Sequence, residues 1–395
     1  VELRTTVAIV GAGPAGLLLG QVLRDAGIGF VIVERQSREY LLARVRAGVL
    51  EQSSVDVLDR YGLAKRLHEH GLVHGGIYLQ FAGERHHIDF EALIGRTVTV
   101  YGQQQVVTDL MAAHDEQGSA VFYEASDVRP ADIDTATPTV TFTVDGEAAV
   151  VHADWVVGAD GFHGVCRTVI PSGSIEMYER AYEYAWLGIL ADVAPSTDEL
   201  IYALHPDGFA MHSMRSPEVS RLYLQVDPDE DIADWSDSRI WDGLHERLGL
   251  DGWTLREGPV TEKSITGMRS AVASTLNFGR LFLVGDAGHI VPPTGAKGLN
   301  GAISDVTMLG EALVAANAGD ESMLRTYSDR ALSRQWKMQS FSQWMTDMLH
   351  VPGRSTPAEE AAFRYRTQIG QLRFVTGSER AQQTLAEQYT GLPIG

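Results

Sequence analysis

Thr6-Val7-Ala8-Ile9-Val10-Gly11-Ala12-Gly13-Pro14-Ala15-Gly16 is an apolar run that gives way at once to three spaced glycines. The run has no polar alternation, as expected of a strand buried on both faces. Leu17, Leu18, Leu19, Val22 and Leu23 then make a helical stripe that stops at Gly27. Phe30-Val31-Ile32-Val33 is a second strand, and Glu34 stands at its carboxyl end, 18 residues past Gly16. Strand, glycine turn, helix, strand and acid in this order predict a dinucleotide-binding unit. Gly11 permits the tight turn, Gly13 lets backbone approach a pyrophosphate, and Gly16 lets helix and strand pack closely. The helix N-terminus offers free N–H groups to the phosphates, and Glu34 an acceptor to a ribose. This unit does not distinguish NAD from FAD.

The 395 residues suggest two or three domains. A formal net charge of −20 argues against nucleic acid or an anionic membrane as partner. An anionic substrate then needs a local arginine cluster, which can prevail because the global field fades over about 8 Å at physiological salt. A single cysteine, Cys166, excludes an internal disulfide framework and fits a cytoplasmic location. No signal peptide is evident, no apolar run reaches the length of a membrane span, and no metal site is expected.

Outward from the fingerprint, Arg44 and Arg46 are candidate phosphate or ring contacts. Val55, Leu58, Leu63 and Leu67 recur at helical spacing, and residues 77–88 read as a hairpin. Strands are expected at 121–123, 140–144, 149–151 and 153–157, the last leading into the turn Asp160-Gly161. Residues 183–267 carry short, closely spaced strands, predicting a mostly antiparallel sheet inserted into the α/β unit. Residues 281–284 return to a buried strand that ends in Gly285-Asp286. Asp286 can accept a ribitol hydroxyl, and the amides of residues 297–300 can hold flavin carbonyl oxygens. Helices are expected over 321–349 and, as one segment, over 357–385.

Three strand-to-glycine turns with matching acids, Gly11 to Gly16, Asp160-Gly161 and Gly285-Asp286, resemble the single-component FAD-dependent aromatic hydroxylases. Residues 44–52, 161–164, 201–203, 213–215, 220–223, 292–300 and 389–393 are similar in particular to the 4-hydroxybenzoate 3-monooxygenase group. The resemblance implies a Rossmann-like FAD-binding domain with a mixed sheet and a three-stranded β-meander (1–72, 98–181 and 268–320). It also implies an inserted substrate-binding sheet domain (73–97 and 182–267) and a C-terminal helical interface region (321–395). FAD would be held by Gly11, Gly13, Ala15, Gly16, Glu34, Arg44, Val45, Arg46, Ala47, Gly48, Val49, Gln103, Asp160, Asp286, Gly298, Leu299 and Asn300, with Arg221 beside the flavin. NADPH would bind transiently at Arg35, Gln36, Tyr40, His163, Arg167 and Arg269.

The substrate so implied is 4-hydroxybenzoate. Arg215 would grip its carboxylate, with Ser213, Met214 and Tyr223 around it. Tyr202, Tyr389 and His74 would relay the phenol proton, and the carbonyl of Pro293 would accept from the substrate hydroxyl. Family chemistry passes through a flavin C4a-hydroperoxide, consumes O2 and yields 3,4-dihydroxybenzoate. The electrophilic oxygen requires an ionised ring, hence a proton exit near pH 7. The family also implies a homodimer. Hydroxylation of a related benzoate, and a flavin NADPH oxidase or sensor without hydroxylation, are the alternatives.

Overall fold

Residues 1–44 and 48–394 are described by the structure, a computed structural model. Val45, Arg46 and Ala47, assigned above to FAD, lie outside the described residues. The fingerprint folds as its residues demand. Strand Glu2–Val10 pairs in parallel with Phe30–Val33 on one side and Glu147–Gly158 on the other, and the latter pairs with Leu281–Leu283. Val7, Ala8 and Ile9 are all fully buried, as a two-faced apolar strand requires. The register sets Val10 beside Gly158, and Gly158 beside Leu283. Three parallel strands therefore end level, and their three turns meet at one carboxyl edge, where open α/β sheets bind ligands.

The strand expected in two pieces at 149–157 is one strand, Glu147–Gly158. It forms a meander with Thr139–Val144 and Ser126–Ala131. The last of these was not foreseen. It contains Pro130 and a left-handed Asp127, both of which obscure a strand pattern and are tolerated because this strand is an edge.

The second sheet has eight strands in the order 289–290, 260–273, 177–191, 220–226, 208–214, 200–205, 76–81 and 84–89. It is antiparallel except where Leu200–His205 meets Gly76–Phe81. Its faces are both covered. Trp186, Tyr202, Phe209, Met211 and Tyr223 point toward the C-terminal helices, whereas Leu187, Ile201, Ala210, Leu222 and Leu224 pack on helix Asp237–Leu248. The two long strands Met177–Ala191 and Val260–Ala273 pair along their length with a bulge between Ala181 and Ala185. A small third sheet joins Val49–Glu51, Val98–Val100 and Leu72–His74.

Helices Gly298–Asn317 and Ser322–Leu349 follow. The single final helix expected over 357–385 is two, Ala358–Gly377 and Glu379–Thr390. Ser378 breaks it by taking an extended conformation, and its hydroxyl caps the next helix by accepting from the Ala381 N–H at 3.4 Å. Tyr389 thereby sits in a last helical turn rather than in a tail. No helix among the described residues is long and apolar enough to cross a membrane.

Candidate active site

A groove runs along the carboxyl edge of the parallel sheet. Gly13, Ala15, Glu34, Arg35, Gln36, Tyr40, Arg44, Gln103, Asp160, Asp286, Gly298 and Leu299 line it. The three fingerprint glycines serve different needs. Gly11 has φ +109°, and a Cβ there would lie 2.4 Å from the Ala159 oxygen. A Cβ on Gly16 would lie 1.9 Å from the Gly11 oxygen. Gly13 has φ −72° and no atom within 4 Å of where its Cβ would point. Neither backbone nor packing within the protein asks for glycine there, and a methyl would project into the groove. That fits a bound dinucleotide phosphate beside the start of helix Pro14–Asp25.

Glu34 is buried, and its two oxygens accept the N–H groups of Ala12 and Gln36, each at 2.7 Å. One lone pair on each oxygen remains for a sugar hydroxyl. Asp160 accepts the Cys166 N–H at 2.8 Å through Oδ2, while Oδ1 is buried without a protein partner. Burial raises its pKa, with the Cys166 amide opposing. These acids and amides match the sugar and pyrophosphate of FAD, so the residues present fit the group.

The Asn300 side chain has a duty of its own beside the backbone amide considered above. Its side chain donates to Val49 O (2.9 Å) and Ala296 O (2.8 Å) and accepts from Glu51 N (2.9 Å) and Ser54 Oγ (2.7 Å). The side-chain carboxamide thus pins the 296–300 turn to the strand Val49–Glu51. Gly48 and Val49 line a second pocket rather than the groove.

That second pocket is enclosed by the antiparallel sheet and the Pro293–Gly295 turn. Tyr202, Met211, Ser213, Met214, Arg215, Arg221, Tyr223 and Pro293 line it, with Trp186, Leu200, Val100 and Gly102. Register explains the grouping: Met211 lies opposite Tyr223 and Ser213 opposite Arg221. Arg215 and Arg221 make a cationic end in an otherwise acidic chain. Burial, then the neighbouring Arg221 charge, lowers the Arg215 pKa. A Cβ on Gly102 would fall 2.6 Å from Arg215 Nη1, so the absence of a side chain there admits the guanidinium. Arg221 Nε donates to the Tyr223 hydroxyl, whereas its Nη1 is buried without a hydrogen-bond partner among the described residues. A buried orphan cation donor of this kind asks for an anionic ligand.

At the other functional group of the pocket the Tyr202 and Tyr389 hydroxyls are 2.6 Å apart. Both residues are almost wholly buried. Burial, then the neighbouring tyrosine, pushes the Tyr202 pKa well up, and burial pushes that of Tyr389 to about 12. The Pro293 carbonyl already accepts Ala296 N–H at 2.9 Å, leaving one lone pair. His74 is buried with neither ring nitrogen hydrogen-bonded, and burial lowers its pKa to about 4. No hydrogen bond joins it to Tyr202 or Tyr389 among the described residues.

The candidate nicotinamide residues fall into two places. Arg35, Gln36 and Tyr40 flank the groove. His163 and Arg269 contact each other at 3.2 Å, and the guanidinium groups of Arg269 (4.0 Å) and Arg167 (4.6 Å) both lie over the Phe162 ring. Arg167 already donates to Ala287 O and Phe162 O.

A buried charge cluster was missed. Lys297 Nζ donates to Glu51 Oε1 at 2.5 Å and to the Tyr389 carbonyl at 3.0 Å, and Arg334 approaches Glu51 at 3.5 Å. It fastens the helix turn bearing Tyr389 to the 293–297 loop. Lys297 stands inside the glycine- and proline-rich stretch 292–300, the one local sign available. Glu51 and Arg334 carry none, since only the fold brings them there.

A family profile described as an FAD binding domain matches residues 4–342. The chain belongs to this family and is an FAD-dependent aromatic monooxygenase. Its relatives include the p-hydroxybenzoate hydroxylase of Acinetobacter baylyi, 46% identical over 394 residues, covering 99% of this chain and 96% of that enzyme. The 3-(3-hydroxy-phenyl)propionate/3-hydroxycinnamic acid hydroxylase of Mycobacterium sp. strain JLS is 27% identical over 82% of this chain, which spans 56% of its length. Among solved structures, the p-nitrophenol 4-monooxygenase of Pseudomonas putida superposes with a TM-score of 0.81 over 99% of both chains at 18% identity, a likeness of fold.

Proposed function

We propose that the chain hydroxylates 4-hydroxybenzoate ortho to its phenol, giving 3,4-dihydroxybenzoate and consuming NADPH and O2. The observation that carries the reading is one pocket lined by both a two-arginine end and Tyr202, whose hydroxyl is hydrogen-bonded at 2.6 Å to that of the buried Tyr389. The carboxylate takes the bidentate Arg215 fork, with Ser213 and Tyr223 as hydroxyl donors and Arg221 Nη1 as a second cation donor. The phenol meets Tyr202, which passes its proton to Tyr389, and the free Pro293 lone pair accepts from the neutral hydroxyl. His74 takes the proton onward to solvent, which requires water or motion between it and Tyr389. Burial holds its pKa near 4, so it takes up a proton only when water reaches it. When bound, FAD supplies hydride acceptance from NADPH and oxygen activation, while the apolar walls Val49, Val100, Leu200 and Met211 exclude water.

Gly11, Gly13, Ala15, Gly16, Glu34, Arg44, Gln103, Asp160, Asp286, Gly298 and Leu299 would hold the cofactor. Arg35, Gln36, Tyr40, His163, Arg167 and Arg269 would meet the nicotinamide nucleotide. The nearby Arg38 is engaged by Asp115, which leaves the exposed Arg35 for a 2′-phosphate and favours NADPH over NADH. Exposed Phe363 and Phe374 lie eleven residues apart on helix Ala358–Gly377, hence on one face, and support a homodimer through that helix. Sedimentation of a Phe363→Lys/Phe374→Lys variant as a dimer would refute this use of the face.

The test of function is product analysis after mixing FAD-loaded protein, NADPH, O2 and a panel of benzoates. 3,4-Dihydroxybenzoate formed stoichiometrically with NADPH supports the proposal. NADPH oxidation that yields only peroxide with 4-hydroxybenzoate would defeat it.

A further inference from the structure

Trp186 forms one wall of the substrate pocket and packs on Tyr223 at a ring separation of 4.7 Å. At the N–H edge of the indole, nearly coplanar with it and outside the pocket lining, stands His350 at the end of helix Ser322–Leu349. The indole Nε1–H donates to His350 Nε2 at 2.6 Å, and His350 Nδ1–H donates to the Thr346 carbonyl at 2.9 Å. An indole N–H can only donate and a carbonyl can only accept, so these partners assign the neutral Nδ1–H tautomer. The imidazole is also stacked, on Phe209 at 4.4 Å and on Tyr184 at 4.8 Å. Its backbone is held as well. Gln368 donates to the His350 carbonyl at 2.7 Å, and Gln225 both donates to and accepts from Val351. The same helical turn also holds the 293–295 turn, through Thr346 Oγ1 donating to Thr294 Oγ1, next to Pro293.

A hydrocarbon ring at position 350 would stack equally well but leave the buried indole N–H without a partner. A straight-chain amide would accept the N–H but not stack. Imidazole does both. We propose that His350 is a positioning residue that fixes Trp186 as a rigid wall, so that an aromatic acid is held flat between that wall, Arg215 and Tyr202. The inference rests on the pocket being the aromatic-acid site argued above.

A double-mutant cycle tests it on FAD-loaded protein, with 4-hydroxybenzoate titrated and the flavin absorbance followed. His350→Phe on the wild-type background is expected to weaken the dissociation constant about tenfold, as an orphaned buried donor drives the indole out of place. KM should rise with it while kcat changes less than about threefold, because the Tyr202–Tyr389 pair is untouched. On a Trp186→Phe background, which has no N–H to satisfy, the same change should cost nothing. An equal loss on both backgrounds, or no loss on either, overturns the proposal. If His350→Phe does not fold, His350→Gln replaces it on both backgrounds: retained affinity, or a loss confined to the Trp186 background, supports the proposal, and an equal loss on both overturns it. A wild type that does not bind 4-hydroxybenzoate refutes the function itself and this inference with it, whereas tight wild-type binding with an unperturbed cycle refutes this inference alone.

Discussion

Tyr389→Phe separates the proton path from the architecture that carries it. The substitution deletes one oxygen, the one 2.6 Å from the Tyr202 hydroxyl. The ring's packing against Phe90 (5.2 Å) and Phe341 (6.3 Å) is retained. The Lys297 contact is also retained, because it uses the backbone carbonyl of residue 389. One buried hydrogen bond between neutral groups contributes about 1 kcal/mol, and leaving Tyr202 with an unmet group raises the cost to at most about 3. The melting temperature should therefore fall by only a few degrees. Hydroxylation should suffer far more. Without a second hydroxyl, Tyr202 cannot hand on the phenol proton, and loss of acid–base assistance costs at least about 100-fold. Substrate affinity should hold within about threefold, since the arginine end is unchanged. The assay measures product formation at saturating substrate, alongside a pH titration of the bound phenol by its ultraviolet absorbance. The apparent pKa of the bound phenol should rise in the variant. Turnover within threefold of wild type, with an unshifted phenol titration, would refute the relay.

Gly13→Ala should weaken FAD binding about tenfold or more while leaving the melting temperature of the FAD-free protein unchanged, because its Cβ meets only the groove. Gly16→Ala, whose Cβ would meet the Gly11 carbonyl, should instead destabilise the fold itself; equal behaviour of the two variants in thermal melts would contradict this division. Arg215→Lys should weaken 4-hydroxybenzoate binding about tenfold with little change in FAD affinity, since an ammonium cannot form the two-pronged contact, and an unaltered dissociation constant would count against it. Burial holds His74 and His212 near pKa 4 and His350 near 3, all below an unfolded value near 6.5. The unfolded chain thus binds more protons between those limits, and stability should rise with pH from about 5 to 6.5 by about 1.4 kcal/mol per unit for each histidine. His289 opposes at higher pH. Burial lowers its pKa, but Asp305 at 2.6 Å outweighs burial and raises it, so its contribution is present below 6.5 and lost as pH climbs through the raised value. Denaturant midpoints that stay flat from pH 5 to 6.5 would contradict the assignment.

Much of the cofactor domain was legible because its signals are short-ranged. An apolar strand, a glycine turn and a helix stripe are each specified within a few residues, and three such turns at strand ends imply one shared edge. The break at Ser378 had a local sign, Gly377 as a stop and Ser378 as a cap, but with no loop between them the two helices read as one segment. The structural duty of the Asn300 side chain, four hydrogen bonds that tie its turn to residues 49–54, was not legible, because its partners outside the turn are 246 to 251 positions away. Leu222, in a strand whose alternate residues reach the substrate pocket, faces the opposite core.

The sequence by itself determined the dinucleotide unit and the inserted sheet, because propensity, turn chemistry and alternation act over a handful of neighbours; the residues for a phenolic acid it offered only through the family resemblance. The tertiary structure alone decided which of these meet. Tyr202 and Tyr389 are 187 positions apart and Trp186 and His350 are 164. No local pattern encodes such pairs. They exist because burying the apolar face of the antiparallel sheet brings the C-terminal helices over it, and that closure sets hydroxyl against hydroxyl and imidazole against indole.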